Sequence, residues 1–218
     1  MIITELKPLE EILSAVKGYQ NVLIASCGGC ATVYRTGGRT EAETLKSSLQ
    51  AKGIKSNVAL VTRQCNKQMV ESTLQPLIGN YDIVVSTACG VGPQTISDVF
   101  KSVPIFSAQN TRFISMYNPE VEKFSEYCNA CGECILNFTG TVCPITRCAK
   151  GMLNGPCGGQ SNGKCEVGGW KNDCAWTLIY DRLKAQGKLD ALKKFTPPRD
   201  YRHSNSPRHI LRERKETA

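Results

Sequence analysis

Eight of the chain's twelve cysteines fall between Cys128 and Cys174, and the apolar sequence around them is too sparse to hold a fold together unaided. Metal has to supply the missing cross-links. The stretch opens as Cys128-Asn129-Ala130-Cys131-Gly132-Glu133-Cys134, continues through Cys143-Pro144, Cys148, Cys157 and Cys165, and closes at Cys174. Three cysteines at two-residue spacing, a distant fourth and a Cys-Pro suit a 4Fe-4S cluster, because a tight turn lets consecutive thiolates reach different irons of one cube. A disulfide framework belongs to secreted chains, and Met1-Ile2-Ile3-Thr4-Glu5-Leu6 lacks the basic and apolar regions of a signal peptide. Structural zinc is the closer competitor, since it also takes four thiolates. Zinc knuckles come as two separated pairs, however, whereas this stretch has a triple followed by single cysteines. The spacing favours iron-sulfur and leaves zinc open at one site.

At 218 residues the chain has room for one ordinary domain and a small one. Its longest apolar runs, such as Val22-Leu23-Ile24-Ala25, are far too short to span a bilayer, so no membrane insertion is expected. Thiols in such number suit a reducing cytoplasm. The formal charge of +8 would suit nucleic acid, but it counts every cysteine as neutral. An oxidised 4Fe-4S cube with four thiolates carries about −2, so three of them would offset roughly six positive charges. The basic excess therefore reads as a scaffold for anionic clusters or a docking face for an acidic partner. With no aromatic-basic recognition motif in the sequence, no nucleic acid partner is expected.

In chain order, residues 5–18 read as an amphipathic helix with Pro8 in its first turn and Gly18 as its stop. Val22-Leu23-Ile24-Ala25 is a buried parallel strand. It leads through Ser26-Cys27-Gly28-Gly29-Cys30 to a helix over 41–52, which Thr40 and Glu43 would cap reciprocally. Val58 to Arg63 leads into Cys65, with Asn66 as cap of a helix over 67–78. Tyr81 to Thr87 leads into Cys89-Gly90-Val91-Gly92-Pro93 and a short helix to Phe100. Two further strands are predicted at 104–107 and 112–116. Alternating strands and helices mean a doubly wound α/β sheet.

Cys27, Cys30, Cys65 and Cys89 then all lie just past the C-terminal ends of parallel strands, on the rim where such sheets bind ligands. Four thiolates from three loops can converge there on one metal centre. Gly28, Gly29 and Gly90 would let backbone pass close and offer amide donors to sulfur. A thioredoxin-like dithiol at Cys27 and Cys30 is the simpler reading of that pair. It lacks flanking aromatics, and it leaves the other two strand-end cysteines unexplained. The Ser-Cys-Gly-Gly-Cys run also resembles the opening of the flavodoxin-like cluster domains of hydrogenase small subunits and the related respiratory complex subunit.

Asn118-Pro119 reads as a domain break, with a short connecting helix over 121–127. After the cysteine-rich stretch a helix begins at Ala175, on which Trp176, Ile179, Tyr180 and Leu183 share a core-facing side. From Lys193 the chain is basic, with Pro197, Pro198 and Pro207 opposing regular structure. It reads as a disordered end or an arm that wraps a partner. His203 and His209 lie in it, far in sequence from any cysteine motif, and read as solvated. The expected organisation is an α/β domain over 1–117 with a four-cysteine centre, a cysteine-rich cluster-binding domain over 118–192, and a basic extended tail over 193–218.

Cys143-Pro144-Ile145-Thr146-Arg147-Cys148-Ala149-Lys150, Leu153-Asn154-Gly155-Pro156-Cys157-Gly158-Gly159 and Gly163-Lys164-Cys165-Glu166-Val167 resemble the cysteine-rich C-terminal domain of methylenetetrahydrofolate reductases. Cys174-Ala175-Trp176 and Tyr180-Asp181-Arg182-Leu183 suit the same family. In some bacteria, acetogens among them, this domain is a separate small subunit of MetV type. The resemblance implies a non-catalytic subunit in one-carbon metabolism, beside a flavin-bearing catalytic subunit that carries FMN. Up to three 4Fe-4S clusters, with zinc possible at one site, would pass electrons to that flavin from a donor such as ferredoxin or a larger redox complex. A zinc-organised scaffold or methyl-transfer accessory is the alternative. Cys128, Cys131 and Cys134 should share one cluster, while Cys143 can join either group in the second domain.

Overall fold

The computed structural model describes residues 1–208, which divide into two compact units, Met1–Phe124 and a second beginning at Ser125. In the first unit, β1 (Ile2–Leu6) and α1 (Leu9–Ala15) precede β2 (Asn21–Cys27), α2 (Cys30–Val33) and α3 (Arg39–Gln50). β3 (Lys55–Val61), α4 (Lys67–Leu74), β4 (Ile83–Ser86), α5 (Val91–Val99) and β5 (Ile105–Ser107) follow. Four strands form a wholly parallel sheet in the order β3-β2-β4-β5. Alternation along β2 sends Val22 and Ile24 toward Ile12, Leu45 and Leu49, and Leu23 and Ala25 toward Val70, Leu74 and Ile96. The continuous apolar run is thus buried on both faces, with helices on each.

Several local expectations shift. The helix predicted over 5–18 begins only at Leu9, and Ile2–Leu6 is instead a strand. Pro8 is the reason: its ring pushes Lys7 out of the helical region, so Pro8 takes the N-cap position with φ −51° and ψ 140°. The helix predicted over 41–52 starts at Arg39, and Glu41 rather than Glu43 reaches back, accepting the Gly38 N–H at 2.9 Å. Asn66 caps α4 as predicted, its side chain accepting the Met69 N–H at 3.0 Å, although α4 ends at Leu74.

The strand predicted over 112–116 lies within β6 (Gln109–Asn118), which leaves the parallel sheet and pairs antiparallel with β1, Ile2 opposite Ile114 and Leu6 opposite Gln109. The connecting helix predicted over 121–127 is a strand, β7 (Lys123–Cys128), in a three-stranded sheet of order β1-β6-β7. Aromatic packing overrides the helical reading there: Phe124 stacks on Tyr117 at 4.8 Å and meets the Tyr34 ring edge-on at 4.9 Å.

The second unit carries α6 (Pro144–Arg147), the two-residue pair β8 (Gln160–Ser161) and β9 (Lys164–Cys165), and α7 (Ala175–Ala185). Its small core joins Val142, Trp176, Ile179 and Leu183. Tyr180, predicted to share that face, is 45% exposed. The tail, read as structureless or as a partner's wrap, folds back on its own unit as far as it is described. Thr196 and Asn154 exchange two hydrogen bonds, at 2.7 and 2.9 Å. His209 lies outside the described residues. Among the described residues no helix is long and apolar enough to cross a membrane.

Candidate metal centres

The topology places the first set of cysteines. β2 lies between β3 and β4, so the connection after β2 runs to one side and that after β4 to the other, and the loops after these three strands open at one rim. Cys27 ends β2, Cys30 opens α2, Cys65 follows β3, and Cys89 lies between β4 and α5. All four line one cavity of about 440 Å³, together with Arg63 and Gln64. Gly28 lets two of the loops meet, since a Cβ there would sit 3.1 Å from the Thr62 carbonyl oxygen. Burial pushes the Cys89 thiol up, and negative charge on Cys27 and Cys30 acts in the same direction. The N–H groups of Val91 and Gly92, at the start of α5, oppose both. The Gly90 N–H does not serve a sulfur, for it goes to the Thr111 hydroxyl at 2.8 Å, and the Gly92 N–H is bonded to the Cys89 carbonyl at 2.8 Å.

Buried polar ties hold the rim in shape. Gln64, fully buried, donates to the Ala25 carbonyl of β2 at 2.8 Å and accepts from the Ser86 hydroxyl of β4 at 2.7 Å. The Thr87 hydroxyl donates to the Gly37 carbonyl at 2.7 Å. The loop carrying Cys65 is therefore pinned to β2 and, beyond it, to β4. No motif marks Gln64 in the sequence, although its place beside a cysteine could have drawn attention to it.

In the second unit Cys128, Cys131, Cys134 and Cys143 line a single cavity of about 260 Å³. Cys143, open to either group on sequence grounds, thus sits with the triple. The Ala130 N–H donates to the Cys128 sulfur at 3.3 Å. Arg199, from the tail, donates to the Cys131 sulfur at 3.1 Å and to the Glu133 carbonyl at 2.6 Å. Of the other four cysteines, Cys165 and Cys174 are held through the backbone around β9. Cys165 donates its N–H to Asn172 at 2.8 Å, and Cys174, the N-cap of α7, donates to Gly163 at 2.7 Å. Cys148 and Cys174 both pack against the core that holds Trp176. Lys150 pairs with Glu166, which holds its ammonium pKa up, and Cys157 acts in the same direction.

Arg199 has no place in the motif reading, because it lies outside the cysteine spacings, and Lys150, although it follows Cys148 in one of the motifs, has no role in it. His203, read as remote from the cysteines, is remote only in sequence. Its backbone lies against the triple, since a Cβ on Gly132 would be 2.5 Å from the His203 carbonyl oxygen. Its ring stays largely exposed, 3.8 Å from Asp200. Among the described residues, no three or more Cys, His, Asp or Glu side chains are gathered closely enough to hold a single metal ion. The first two sets stand around cavities.

Comparison with known proteins adds one match: residues 106–202 fit the family model described as "Methylene-tetrahydrofolate reductase C terminal". No curated protein and no solved structure matches the chain. The matched stretch takes in β6, β7, all eight cysteines of the second unit and the tail as far as Arg202. Residues 106–202 therefore belong to the C-terminal domain family of the methylenetetrahydrofolate reductases.

Proposed function

We propose that the chain is the iron-sulfur electron-transfer subunit of a methylenetetrahydrofolate reductase complex, passing electrons from an external donor to the flavin of a catalytic subunit. One observation carries this reading: eight of the twelve cysteines line two cavities, four to each. Four soft thiols around a cavity fit an iron-sulfur cube. In this reading the first unit is a flavodoxin-like cluster domain and the second a ferredoxin-like one. When bound, such centres store single electrons at potentials set by their thiolates and by the hydrogen bonds those accept.

The chain's own part is to hold and bias the thiolates. Cys27, Cys30, Cys65 and Cys89 form the strand-end set, with the Val91 and Gly92 amides near Cys89 favouring its charged form. Cys128, Cys131, Cys134 and Cys143 form the second set, with Ala130 and Arg199 as donors. Cys148, Cys157, Cys165 and Cys174 form the third, with Lys150 beside Cys157. Each such donor favours thiolate over thiol, and so metal over proton. Reducing the methylene group to methyl takes two electrons and two protons at folate, which the partner's flavin, FMN, combines. The basic chain suits an acidic donor such as ferredoxin, or an acidic face of a larger redox complex, with salt screening the attraction.

Anaerobic metal analysis and reconstitution test the reading. The purified chain should be brown and contain iron and sulfide, and Cys65→Ser or Cys89→Ser should each remove the iron of one centre. Full iron in both variants would show that the strand-end cysteines do not share a site. Turnover from the physiological donor should require this chain and collapse in Cys131→Ser or Cys157→Ser, while a chemical reductant drives the catalytic subunit alone. A colourless zinc protein, or a catalytic subunit that accepts the donor equally well alone, would favour the zinc scaffold instead.

A further inference from the structure

Arg199 is the one tail side chain whose hydrogen bonds reach a cysteine sulfur among the described contacts, and it is held there firmly. One guanidinium nitrogen, Nη2, serves both the Cys131 sulfur at 3.1 Å and the Glu133 carbonyl at 2.6 Å. The other, Nη1, is buried and meets no acceptor among the described residues. A buried cationic donor without an acceptor is unfavourable, and this one belongs to a group already bonded to the rim of a thiol-lined cavity. The segment that carries it is seated as well. The His203 backbone packs on Gly132, whose φ of +88° and lack of a Cβ allow that approach. Arg208 donates to the Ala130 carbonyl at 2.8 Å and to the His203 carbonyl at 3.1 Å. Tail residues thus touch three consecutive positions of the loop, Ala130, Cys131 and Gly132.

We propose that Arg199 is a positioning residue for the centre held by Cys128, Cys131, Cys134 and Cys143, and that it raises that centre's reduction potential; this rests on the iron-sulfur reading above. Reduction adds one electron from the donor, makes and breaks no bond, takes up no proton, and leaves the centre one charge more negative. A guanidinium bonded to one of its thiolates stabilises the reduced form more than the oxidised form. Without Arg199 the centre is harder to reduce. Lysine supplies the charge, but on a compact, more strongly hydrated ammonium in place of the planar guanidinium whose Nη2 serves both the sulfur and the Glu133 carbonyl.

Redox titration of the full chain, followed by electron paramagnetic resonance after anaerobic reconstitution, tests this together with iron and sulfide content. In Arg199→Gln one titrating component should move to a more negative potential by about tenfold in its reduction equilibrium, about 59 mV for one electron. The other components should stay in place, and Arg199→Lys should recover part of the shift. If Arg199→Gln loses iron, the potential of Arg199→Lys decides: a negative shift supports the inference, and the wild-type value overturns it. Iron-loaded variants that all titrate at wild-type potentials overturn the inference and leave the iron-sulfur reading standing. A wild-type chain that takes up zinc and no iron overturns both.

Discussion

Gln64 is fully buried next to a cysteine, and its side chain braces the rim on which the first set of cysteines sits. Gln64→Leu keeps most of the volume but leaves the buried Ser86 hydroxyl without its acceptor. The cost should be about 1–3 kcal/mol, read as a lower urea midpoint. An unchanged midpoint would mean that the brace contributes nothing. The same substitution frees the loop of Cys65 from β2 and β4, so weaker iron retention at that site should accompany it. The cysteines themselves are legible in the sequence because their chemistry is fixed by residue type. Gln64, Arg199 and Lys150 are not, because a polar side chain becomes a brace or a donor only through the partner that folding brings to it.

The parallel strands are joined at both ends. Opposite the cysteine rim, Asp82, just before β4, accepts the N–H groups of Gln20 at 3.0 Å and Asn21 at 2.8 Å, where β2 begins. The Asn21 amide, and then that of Gln20, hold its carboxyl below the usual carboxylate range. A carboxylate depressed in the folded state stabilises the fold above its unfolded pKa, and that contribution disappears as pH falls through the folded value. Asp82→Asn should therefore melt below the wild type near neutral pH, with the gap closing on acidification. A gap that stays constant down to acid pH would show that charge on Asp82 is irrelevant. The strands that meet these ends were readable from their apolar runs. β1 and β7 were not, since each is a short segment beside helix-like sequence, stabilised by pairing or aromatic contact with residues distant in sequence or across a turn.

At the scale of the whole molecule, the basic tail changes meaning. The family match runs on to Arg202, and the described tail contacts the second unit through Thr196, Arg199 and Arg208. Ending the chain at Phe195 removes all of these at once. The second unit should lose up to about 5 kcal/mol, from five hydrogen bonds at about 1 kcal/mol net each, seen as an earlier denaturant transition. Binding to a catalytic subunit should weaken in parallel if the same segment also faces that partner. A truncated chain with the full-length transition would show that these contacts add nothing to the fold.

Sequence alone determined the cysteine inventory, the alternating strands and helices of the first unit, and the placement of Cys27, Cys30, Cys65 and Cys89 at strand ends. Those features follow from residue chemistry and from local periodicity, which operate over a few residues. Tertiary structure alone decided that Cys143 joins the triple, that β6 pairs with β1 outside the parallel sheet, and that Arg199 reaches Cys131 from 68 residues away. Each of these depends on which distant segments pack together. No spacing rule carries that information, because loop closure lets many pairings form and the packed core selects among them.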